Sequence, residues 1–402
     1  MTAPARAPHV FLVAAEESGD RLGAALIRAL RAAREGGVRV SGIGGVHMAE
    51  EGILTPFPLG DLAIIGVAEI AAKIPLIIRR IRESADAVIA AKPDVLVIID
   101  SPDFTHRVAK RVRARMPSLP IVDYVCPSVW AWRPGRASRM KPYVDLVLAL
   151  LPFEPAAMQK LDGPRCVFVG HPLAEQVSRF RPSPAEEERR RASPPLMLVM
   201  PGSRSGEVRR FAPVFGDAVT RVAAKAGALE VVVPTVPRLA QTVAEAVSTW
   251  RVPARVVVEP DEKDAAFRSA RLALTKSGTS TLELALAGIP MVAAYSVSFV
   301  EAMIAQLFIR VPSVILANLV IGENVVPEFL QFDCTAEKLS AALINLVGDT
   351  PERRRQVDAF ARLDEIMQIG RANPSARAAA LVLQMAGNLD GRSALPRDAQ
   401  RA

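Results

Sequence analysis

Apolar runs of strand length alternate with longer amphipathic stretches along most of the chain, and this alternation constrains the fold more than any other feature. The clearest run is VLVII at 95–99, which follows Lys-Pro-Asp and precedes an amphipathic stretch over 104–115. A continuous apolar run of this length is typical of a parallel strand buried on both faces. The repeated strand–helix unit predicts an α/β fold built on doubly wound parallel sheets. Further strands are predicted over 10–15, 121–125, 146–151, 196–200, 229–234, 255–259, 270–275 and 291–295.

The alternation is interrupted by a stretch rich in proline and charge over 179–195. Its sequence, RFRPSPAEEERRRASPP, has no apolar period and is typical of a linker. We therefore predict a Rossmann-like domain over 1–178 and a second one over 196–345, facing each other across a cleft. Helices over 346–385 are expected to pack back on the N-terminal domain, and the polar tail over 386–402 to be frayed.

The composition excludes several classes of protein. Half of the 402 residues are hydrophobic and 23% are charged, which is too apolar for a mostly disordered chain. The cysteines Cys126, Cys166 and Cys334 lie too far apart for a disulfide framework or a CxxC zinc site, and they indicate a reducing compartment. The excess of 50 Lys and Arg over 42 Asp and Glu favours an anionic partner: nucleic acid, anionic lipid or a phosphorylated substrate.

The sequence shows neither an evident secretory signal nor a run of about 18 uninterrupted apolar residues, the length that a spanning helix needs. We therefore expect a cytoplasmic protein that is either fully soluble or in contact with a membrane surface. Segment 61–82 mixes apolar and cationic residues, as do surfaces that dip into anionic lipid. An ordinary core helix with a basic edge is the alternative, and Pro75 makes one straight helix unexpected. The residues considered for membrane contact include Ile64, Ile65, Val67, Ile70, Ile77, Ile78, Arg79 and Arg80.

An acidic loop, EESGD at 16–20, follows the first predicted strand and opens a helix. Backbone N–H groups at such a place attract anions, but the loop is neither GxGxxG nor a P-loop. Capping of the helix by Ser18 or Asp20 explains the loop equally well. The functional alternative is that Glu16 and Glu17 bind sugar hydroxyls, because two acids disfavour a phosphate.

A second acidic loop, DSPD at 100–103, follows the apolar strand 95–99. Asp100 comes directly after the strand, where a carboxylate is partly desolvated and close to any ligand, which suits a general base. Asp103 is more simply explained as the N-cap of the next helix.

Two of the three tryptophans and several cations follow the next strand, in CPSVWAWRPGR at 126–136. Trp130 could stack on an acceptor, but tryptophan is also a common core residue. Arg133 belongs either to a platform for a phosphorylated or anionic partner or to a solvated face. For Trp130 and for Arg133, the functional and the structural alternative both stay open.

Two loops of the second half carry the features of phosphate sites. PGSRSGE at 201–207 places an arginine between glycines at a helix start, where the guanidinium can bind a diphosphate bidentately. SGTSTLE at 277–283 offers hydroxyl and N–H groups at another helix start. Glu283 can accept hydrogen bonds from a ribose, or it can be a capping-box acid. The predicted phosphate ligands of these two loops are Gly202, Ser203, Arg204, Ser277, Gly278, Thr279 and Ser280.

Together these stretches resemble the lipid-A-disaccharide synthase family, inverting glycosyltransferases with the two-Rossmann GT-B fold. The resemblance covers nearly the whole chain and rests on EESGDRLGAALIRAL, IIDSPDF, CPSVWAWRPGR, LPFE, GHPLAE, PGSRSGEV and SGTSTLELALAGIPMV. IDSPDF, PSVWAW and PGSR in this order are specific, whereas many GT-B enzymes have an element like SGTSTLE. The resemblance implies transfer of 2,3-diacylglucosamine from its UDP derivative to 2,3-diacylglucosamine 1-phosphate, which gives a β(1→6) disaccharide and UDP.

The resemblance also implies roles for single residues. The family's essential aspartate falls on Asp100 and its essential arginine on Arg204, while Glu16 matches the acid of the first loop. Asn318 matches an asparagine that is expected to bind the UDP-sugar. Two departures concern the neighbours of these residues, since alanine stands before Glu16 in place of glycine and before Asn318 in place of proline.

The resemblance implies further expectations about partners and place. No cofactor and no metal is expected, because no acid cluster resembles the DxD of other transferases. The partners are expected to be acylated UDP-glucosamine, acylated glucosamine 1-phosphate and an anionic membrane surface, on the cytoplasmic face of the inner membrane. Ser18, Trp130 and Arg133 are candidates for contact with the acceptor or membrane, and a homodimer is a candidate assembly.

Two other interpretations fit the sequence less well. Another UDP-sugar GT-B enzyme, such as a muramyl-type transferase or a UDP-sugar epimerase, does not account for IDSPDF and PSVWAW. A nucleic-acid-binding protein is disfavoured because the charge is spread along the chain and no DNA or RNA module is evident, so no nucleic-acid partner is expected.

Overall fold

Two parallel β-sheets form the framework of this computed structural model, which describes residues 6–34, 37–62, 67–297, 311–371 and 373–387, with the side chains of 62–73 left out. Each sheet has six strands in the described residues, whereas the alternation of apolar and amphipathic stretches predicts four in the first half of the chain and five in the second. The chain divides into two compact units, Met1–Pro172 with Arg371–Ala402, and Leu173–Gly370.

The first unit contains one sheet with the strand order β2-β1-β3-β4-β5-β6. All neighbouring strands are parallel, and two buried apolar clusters cover the two faces of the sheet. The strands are β1 His9–Ala14, β2 Arg39–Ile43, β3 Val95–Ile99, β4 Ile121–Tyr124, β5 Leu146–Ala149 and β6 Arg165–Phe168. The helices are α1 Glu17–Ala32, α2 Val46–Glu50, α3 Val67–Ala91, α4 Pro102–Arg115, α5 Gly135–Met140, α6 Glu154–Lys160 and, near the C-terminus, α17 Pro374–Gly387.

The second unit repeats this architecture with the strand order β12-β11-β10-β7-β8-β9. Its strands are also parallel throughout. The strands are β7 Leu196–Met200, β8 Glu230–Pro234, β9 Ala254–Val257, β10 Leu272–Lys276, β11 Met291–Tyr295 and β12 Glu328–Leu330. The helices are α7 Leu173–Phe180, α8 Pro184–Arg191, α9 Ser205–Ala226, α10 Ala240–Ser248, α11 Pro260–Ser269, α12 Thr279–Leu286, α13 Leu316–Ile321, α14 Ala336–Val347, α15 Pro351–Ala361 and α16 Leu363–Ile366.

The stretch predicted to be a linker over 179–195 is instead largely helical and part of the second unit. Ser183 and Glu186 form a capping box at the start of α8. Arg190, only 6% exposed, donates to the carbonyl oxygens of Phe267, Arg268 and Ala287. The linker prediction was wrong because a cation that binds the carbonyls of neighbouring helices is part of the packing, although its charge suggests solvent exposure.

The C-terminal helices divide between the two units, which corrects the prediction that 346–385 packs on the first domain. The side-chain amide of Gln356 in α15 accepts from the Met291 N–H and donates to the Met291 carbonyl, and these bonds bind α15 to β11 of the second unit. Of the C-terminal helices that the structure describes, only α17 returns to the first unit, where Ala378, Ala379 and Val382 are buried beside α1.

Candidate functional site

The carboxyl ends of β1 and β3 lie side by side in the sheet of the first unit. The chain leaves β1 for β2 on one side and reaches β3 on the other, so the strand order reverses between them. Open parallel sheets bind ligands in the crevice at such a reversal. Glu16 follows β1 and Asp100 follows β3, so both predicted residues lie at this crevice.

The backbone at Asp100 has an unusual conformation. Asp100 has a φ of +54° and Ser101 a φ of +45°, a left-handed region that residues other than glycine rarely adopt. The conformation is held by two hydrogen bonds: the Asp100 N–H donates to the Tyr124 carbonyl at 3.0 Å, and the Thr105 hydroxyl donates to the Asp100 carbonyl at 2.7 Å. Backbone strain of this kind is concentrated at functional sites.

The Asp100 carboxylate is oriented by two donors. Its Oδ1 accepts from the Ser101 N–H at 2.8 Å, and its Oδ2 accepts from the Ser18 hydroxyl at 3.0 Å. Gly19 permits this approach of α1 to β3, because a Cβ there would lie 3.1 Å from the Ile99 carbonyl oxygen. A half-buried carboxylate with a fixed orientation at the mouth of a crevice has the geometry of a general base.

The side chains of the loop 16–20 have roles other than capping α1. Glu16 is the N-cap residue of α1, but its side chain makes no capping bond within the described part of the chain. The buried carboxylate of Asp20 accepts from the N–H groups at the start of α2, those of Gly45, His47 and Met48. Asp20 is therefore structural, and the exposed side chain of Glu16 faces solvent.

Asp103 is not the N-cap of α4, because it lies in the first turn of that helix. Its carboxylate accepts from Arg136 at 2.8 Å, and Arg133 lies 4.0 Å away. The Arg133 guanidinium also covers the half-exposed ring of Trp132, 4.3 Å from its centroid. Arg133 and Trp132 thus form an exposed aromatic and cationic surface beside the loop that carries Asp100.

Trp130 is held by the protein itself. Its ring meets Phe153 edge to face with centroids 5.1 Å apart, and its indole N–H donates to Glu154 at 3.2 Å. Glu154 is 3% exposed and also accepts from the N–H groups of Leu150 and Leu151. Burial raises the pKa of Glu154 to about 7, although these hydrogen bonds lower it. Trp130 therefore ties its loop to α6, as a core tryptophan would, and the stacking role is not supported by its placement.

The first unit also contains a buried polar group that the sequence analysis did not identify. His106 contacts the Asp123 carboxylate at 2.9 Å and the Tyr143 hydroxyl at 3.2 Å. Burial raises the pKa of Asp123, and His106 opposes that rise. Burial also raises the pKa of Tyr143 to about 12. An isolated histidine on the apolar face of a predicted helix was the available signal, since such a residue needs a buried partner.

Helix α3 runs from Val67 to Ala91 with Pro75 inside it, so the helix is continuous at this proline. The structure buries much of its C-terminal part: Ile81 is 2% exposed, and Ile77 packs against the core. Among the side chains of α3 that the structure describes, Ile74 is the large apolar one that is exposed, at 47%. Residues 63–66, with Ile64 and Ile65, lie outside the described residues, as do the side chains of Val67 and Ile70.

Two of the cations of α3, Arg79 and Arg80, have acidic partners. Arg79 donates to Glu83 at 2.7 Å, and Arg80 binds both Asp61 and Glu83. Arg80 also covers the Phe57 ring and is only 16% exposed. Arg80 is therefore a structural residue, whereas Arg79 is exposed on the surface. Among the described residues no helix is both long and apolar enough to cross a membrane.

The second unit has its own strand-order reversal, between β7 and β10. Gly202, Ser203 and Arg204 follow β7 and precede α9, and we call them the anion nest. Gly202 has a φ of +129°, and Arg204 is 80% exposed, with Glu207 3.6 Å from its guanidinium. The predicted diphosphate residues of this loop thus lie together where a ligand of the second sheet would bind.

The loop after β10 offers fewer free groups than predicted. The Ser277 hydroxyl donates to the Val314 carbonyl at 2.8 Å, and the Ser280 hydroxyl contacts Thr275 at 3.2 Å, so neither is free for a phosphate. Gly278 and the exposed Thr279 are left, at the start of α12. Glu283 is half-buried; burial raises the pKa of its carboxyl group, and the charge of Lys263 opposes this.

Asn318 is placed differently from the prediction. It is 2% exposed, its amide nitrogen donates to Ser313 and Val326, and its oxygen accepts from the N–H groups of Val325 and Val326. The hydrogen-bonding groups of its side chain are thus used to connect the chain segments before and after α13. In the described structure Asn318 is a structural residue and has no group left for a UDP-sugar.

The sequence matches the family described as lipid-A-disaccharide synthetase over residues 10–382. The chain belongs to this family. A lipid-A-disaccharide synthase of Nitrobacter hamburgensis is 58% identical over 383 residues, which cover 95% of this chain and 97% of the relative. One of Rhodopseudomonas palustris is 56% identical over 380 residues, covering 94% and 97%. Family membership makes the chain an enzyme of the UDP-sugar hexosyltransferase class.

Solved structures of remote sequences share the fold. Acinetobacter baumannii MurG, 14% identical, covers 94% of this chain and 99% of its own with a TM-score of 0.57. UDP-GlcNAc 2-epimerase from Neisseria meningitidis, bound to UDP-GlcNAc, is 12% identical and covers 94% and 100% with a TM-score of 0.60. These similarities confirm the predicted GT-B fold.

Proposed function

We propose that this chain transfers a 2,3-diacylglucosaminyl group from UDP-2,3-diacylglucosamine to 2,3-diacylglucosamine 1-phosphate. The products are the β(1→6) disaccharide 1-phosphate and UDP. The family match over residues 10–382 carries this proposal. The carboxylate of Asp100 at the sheet crevice of the first unit supports it, because transfer to a hydroxyl needs a base.

The reaction proceeds by a single inverting displacement. Asp100 takes the proton of the acceptor 6-hydroxyl while the oxygen attacks the anomeric carbon from the face opposite to UDP. The bond between that carbon and the UDP oxygen breaks, and its electron pair leaves with UDP. Ser18 donates to Asp100 at 3.0 Å and so orients the carboxylate. Glu16 accepts a hydrogen bond from a sugar hydroxyl.

The leaving diphosphate gains negative charge, which protein groups stabilise. Arg204 and the N–H groups at the starts of α9 and α12 supply positive potential to it. Glu283 accepts hydrogen bonds from the ribose hydroxyls. The reaction needs no divalent ion and no cofactor in this account.

The enzyme works at the cytoplasmic face of the inner membrane as a peripheral protein, because both substrates carry acyl chains. Ile74, Ile78 and Arg79 on α3, with Trp132 and Arg133, are the exposed or half-exposed groups that support contact with an anionic surface. A homodimer stays a prediction, which sedimentation would test.

The proposed reaction is tested by measuring UDP release from UDP-2,3-diacylglucosamine with and without 2,3-diacylglucosamine 1-phosphate. We expect release that depends on the acceptor and matches disaccharide formation mole for mole. UDP release of equal rate without acceptor would indicate a hydrolase. No release in either case, with the fold intact, would contradict the proposal.

A further inference from the structure

A lysine and a glutamate meet where the anion nest approaches the end of β10. Lys276 is the last residue of β10, and Glu207 lies in the first turn of α9. The Lys276 ammonium is 3.0 Å from Glu207 Oε1, and the side chains are only 20% and 16% exposed. The pair is therefore shielded from solvent and lies at the carboxyl ends of β7 and β10, where a ligand of this sheet would bind.

The Glu207 carboxylate also occupies the anion nest. Its Oε2 accepts from the N–H groups of Ser203 at 2.9 Å and of Arg204 at 3.3 Å. Gly202 makes room for it, since a Cβ at this residue would lie 2.5 Å from Glu207 Oε2. Glu207 thus holds two backbone donors and one ammonium group, the donors that an oxygen of a phosphate uses.

The carboxylate carries its charge at neutral pH. Burial raises the pKa of Glu207, but the hydrogen bond and charge of Lys276, together with the Ser203 N–H, outweigh this and leave the pKa below its usual value. A charged carboxylate and a diphosphate repel each other. They cannot share the same donors at hydrogen-bond distance.

We propose that Lys276 binds the diphosphate of the donor, and that Glu207 competes with the diphosphate for Lys276 and the two N–H groups of the nest. This inference rests on the proposed function, in which the UDP diphosphate binds at Gly202, Ser203 and Arg204. One anion replaces the other, so Lys276 is paired in both states. The returning carboxylate then favours the departure of UDP after transfer.

The test is calorimetric titration of the full chain with UDP and, separately, with uridine. Lys276→Met should weaken UDP binding at least about tenfold, as expected for loss of a charge-assisted contact, and leave uridine binding unchanged. Glu207→Gln should strengthen UDP binding several-fold, because the competitor loses its charge and keeps its size. The control is Lys338→Met, which removes an exposed lysine of α14 that pairs with Asp333.

The outcomes separate the inference from the proposed function. A wild-type chain that does not bind UDP contradicts the proposed function. Wild-type UDP binding that Lys276→Met leaves unchanged overturns the role of Lys276, and so does an equal loss for uridine. If Glu207→Gln weakens UDP binding, Glu207 positions Lys276 and does not compete. If circular dichroism shows that Lys276→Met does not fold, the effect of Glu207→Gln on UDP affinity still tests the competition: stronger binding supports it and weaker binding contradicts it.

Discussion

Replacing Glu154 by glutamine should change how the stability of the protein depends on pH. The folded state holds a proton on Glu154 up to about pH 7, whereas the unfolded chain releases it near the ordinary value of 4.5. Stability contributed by this proton is therefore complete below pH 4.5 and is lost as pH rises to about 7. Over that range the loss is about 3 kcal/mol, at about 1.4 kcal/mol per pH unit.

The variant isolates this effect because glutamine cannot titrate. Glu154→Gln keeps an oxygen for the N–H groups of Leu150 and Leu151 but sets an amide group against the Trp130 N–H, which costs about 1 kcal/mol at every pH. Urea unfolding at pH 5, 6, 7 and 8, followed by tryptophan fluorescence, gives the difference between wild type and variant. Other titrating groups cancel in that difference.

We expect the wild type to be the more stable protein at pH 5 and to lose that advantage by pH 8. The exposed Glu50 provides the control, since Glu50→Gln removes one carboxylate from the same unit without a buried contact. Unfolding free energies that stay parallel for wild type and Glu154→Gln from pH 5 to 8 would refute the reasoning.

Three further predictions concern the site and the surface. Gly202→Ala should reduce UDP affinity at least about tenfold, because a φ of +129° is strained for alanine and the added Cβ would meet Glu207. Unchanged UDP affinity by calorimetry would show that the anion nest does not bind UDP. The wild-type enzyme should stay active in EDTA, whereas Arg204→Ala should lower activity by about 10²-fold or more. Inactivation of the wild type by EDTA, reversed by one specific metal, would contradict the expectation that protein groups alone stabilise the leaving diphosphate. Ile74→Ser with Ile78→Ser should weaken sedimentation with anionic vesicles and leave the melting temperature near that of wild type, whereas unchanged sedimentation would place membrane contact elsewhere.

Most strands were predictable because a buried strand shows as an apolar run, whereas the partly buried β2, β6 and β12 were not predicted. The apolar run 95–99 is a strand with those bounds and is buried throughout, as is 196–200 but for its last residue. Short connections to neighbouring parallel strands account for most of the strand order, but not for the reversals between β1 and β3 and between β7 and β10. The helix α8 was missed because its decisive residue, Arg190, is buried by contacts with carbonyl groups that are distant in sequence.

The sequence predicts which loops form the candidate site, but it does not predict which side chains in those loops are free to bind a ligand. Asp100 could be identified because a polar residue at the end of an apolar strand lies near any ligand. Whether a hydroxyl in such a loop is free depends on groups far along the chain, as the bond from Ser277 to Val314 shows. The same limit applies to Lys276, whose partner Glu207 lies on another strand–helix unit. The partners of Asn318 are near in sequence, but composition does not show the turn that brings them together.

The most direct test of the central claim compares Asp100→Asn with Asp103→Asn, both substrates being saturating. The two residues share one loop, but Asp100 is oriented by Ser18 at the crevice, whereas Asp103 pairs with Arg136. Loss of a general base costs about 10²–10⁴-fold in turnover. We predict such a loss for Asp100→Asn, with UDP affinity and melting temperature retained, and a change of less than about tenfold for Asp103→Asn. Near-normal turnover of Asp100→Asn would show that Asp100 is not the base.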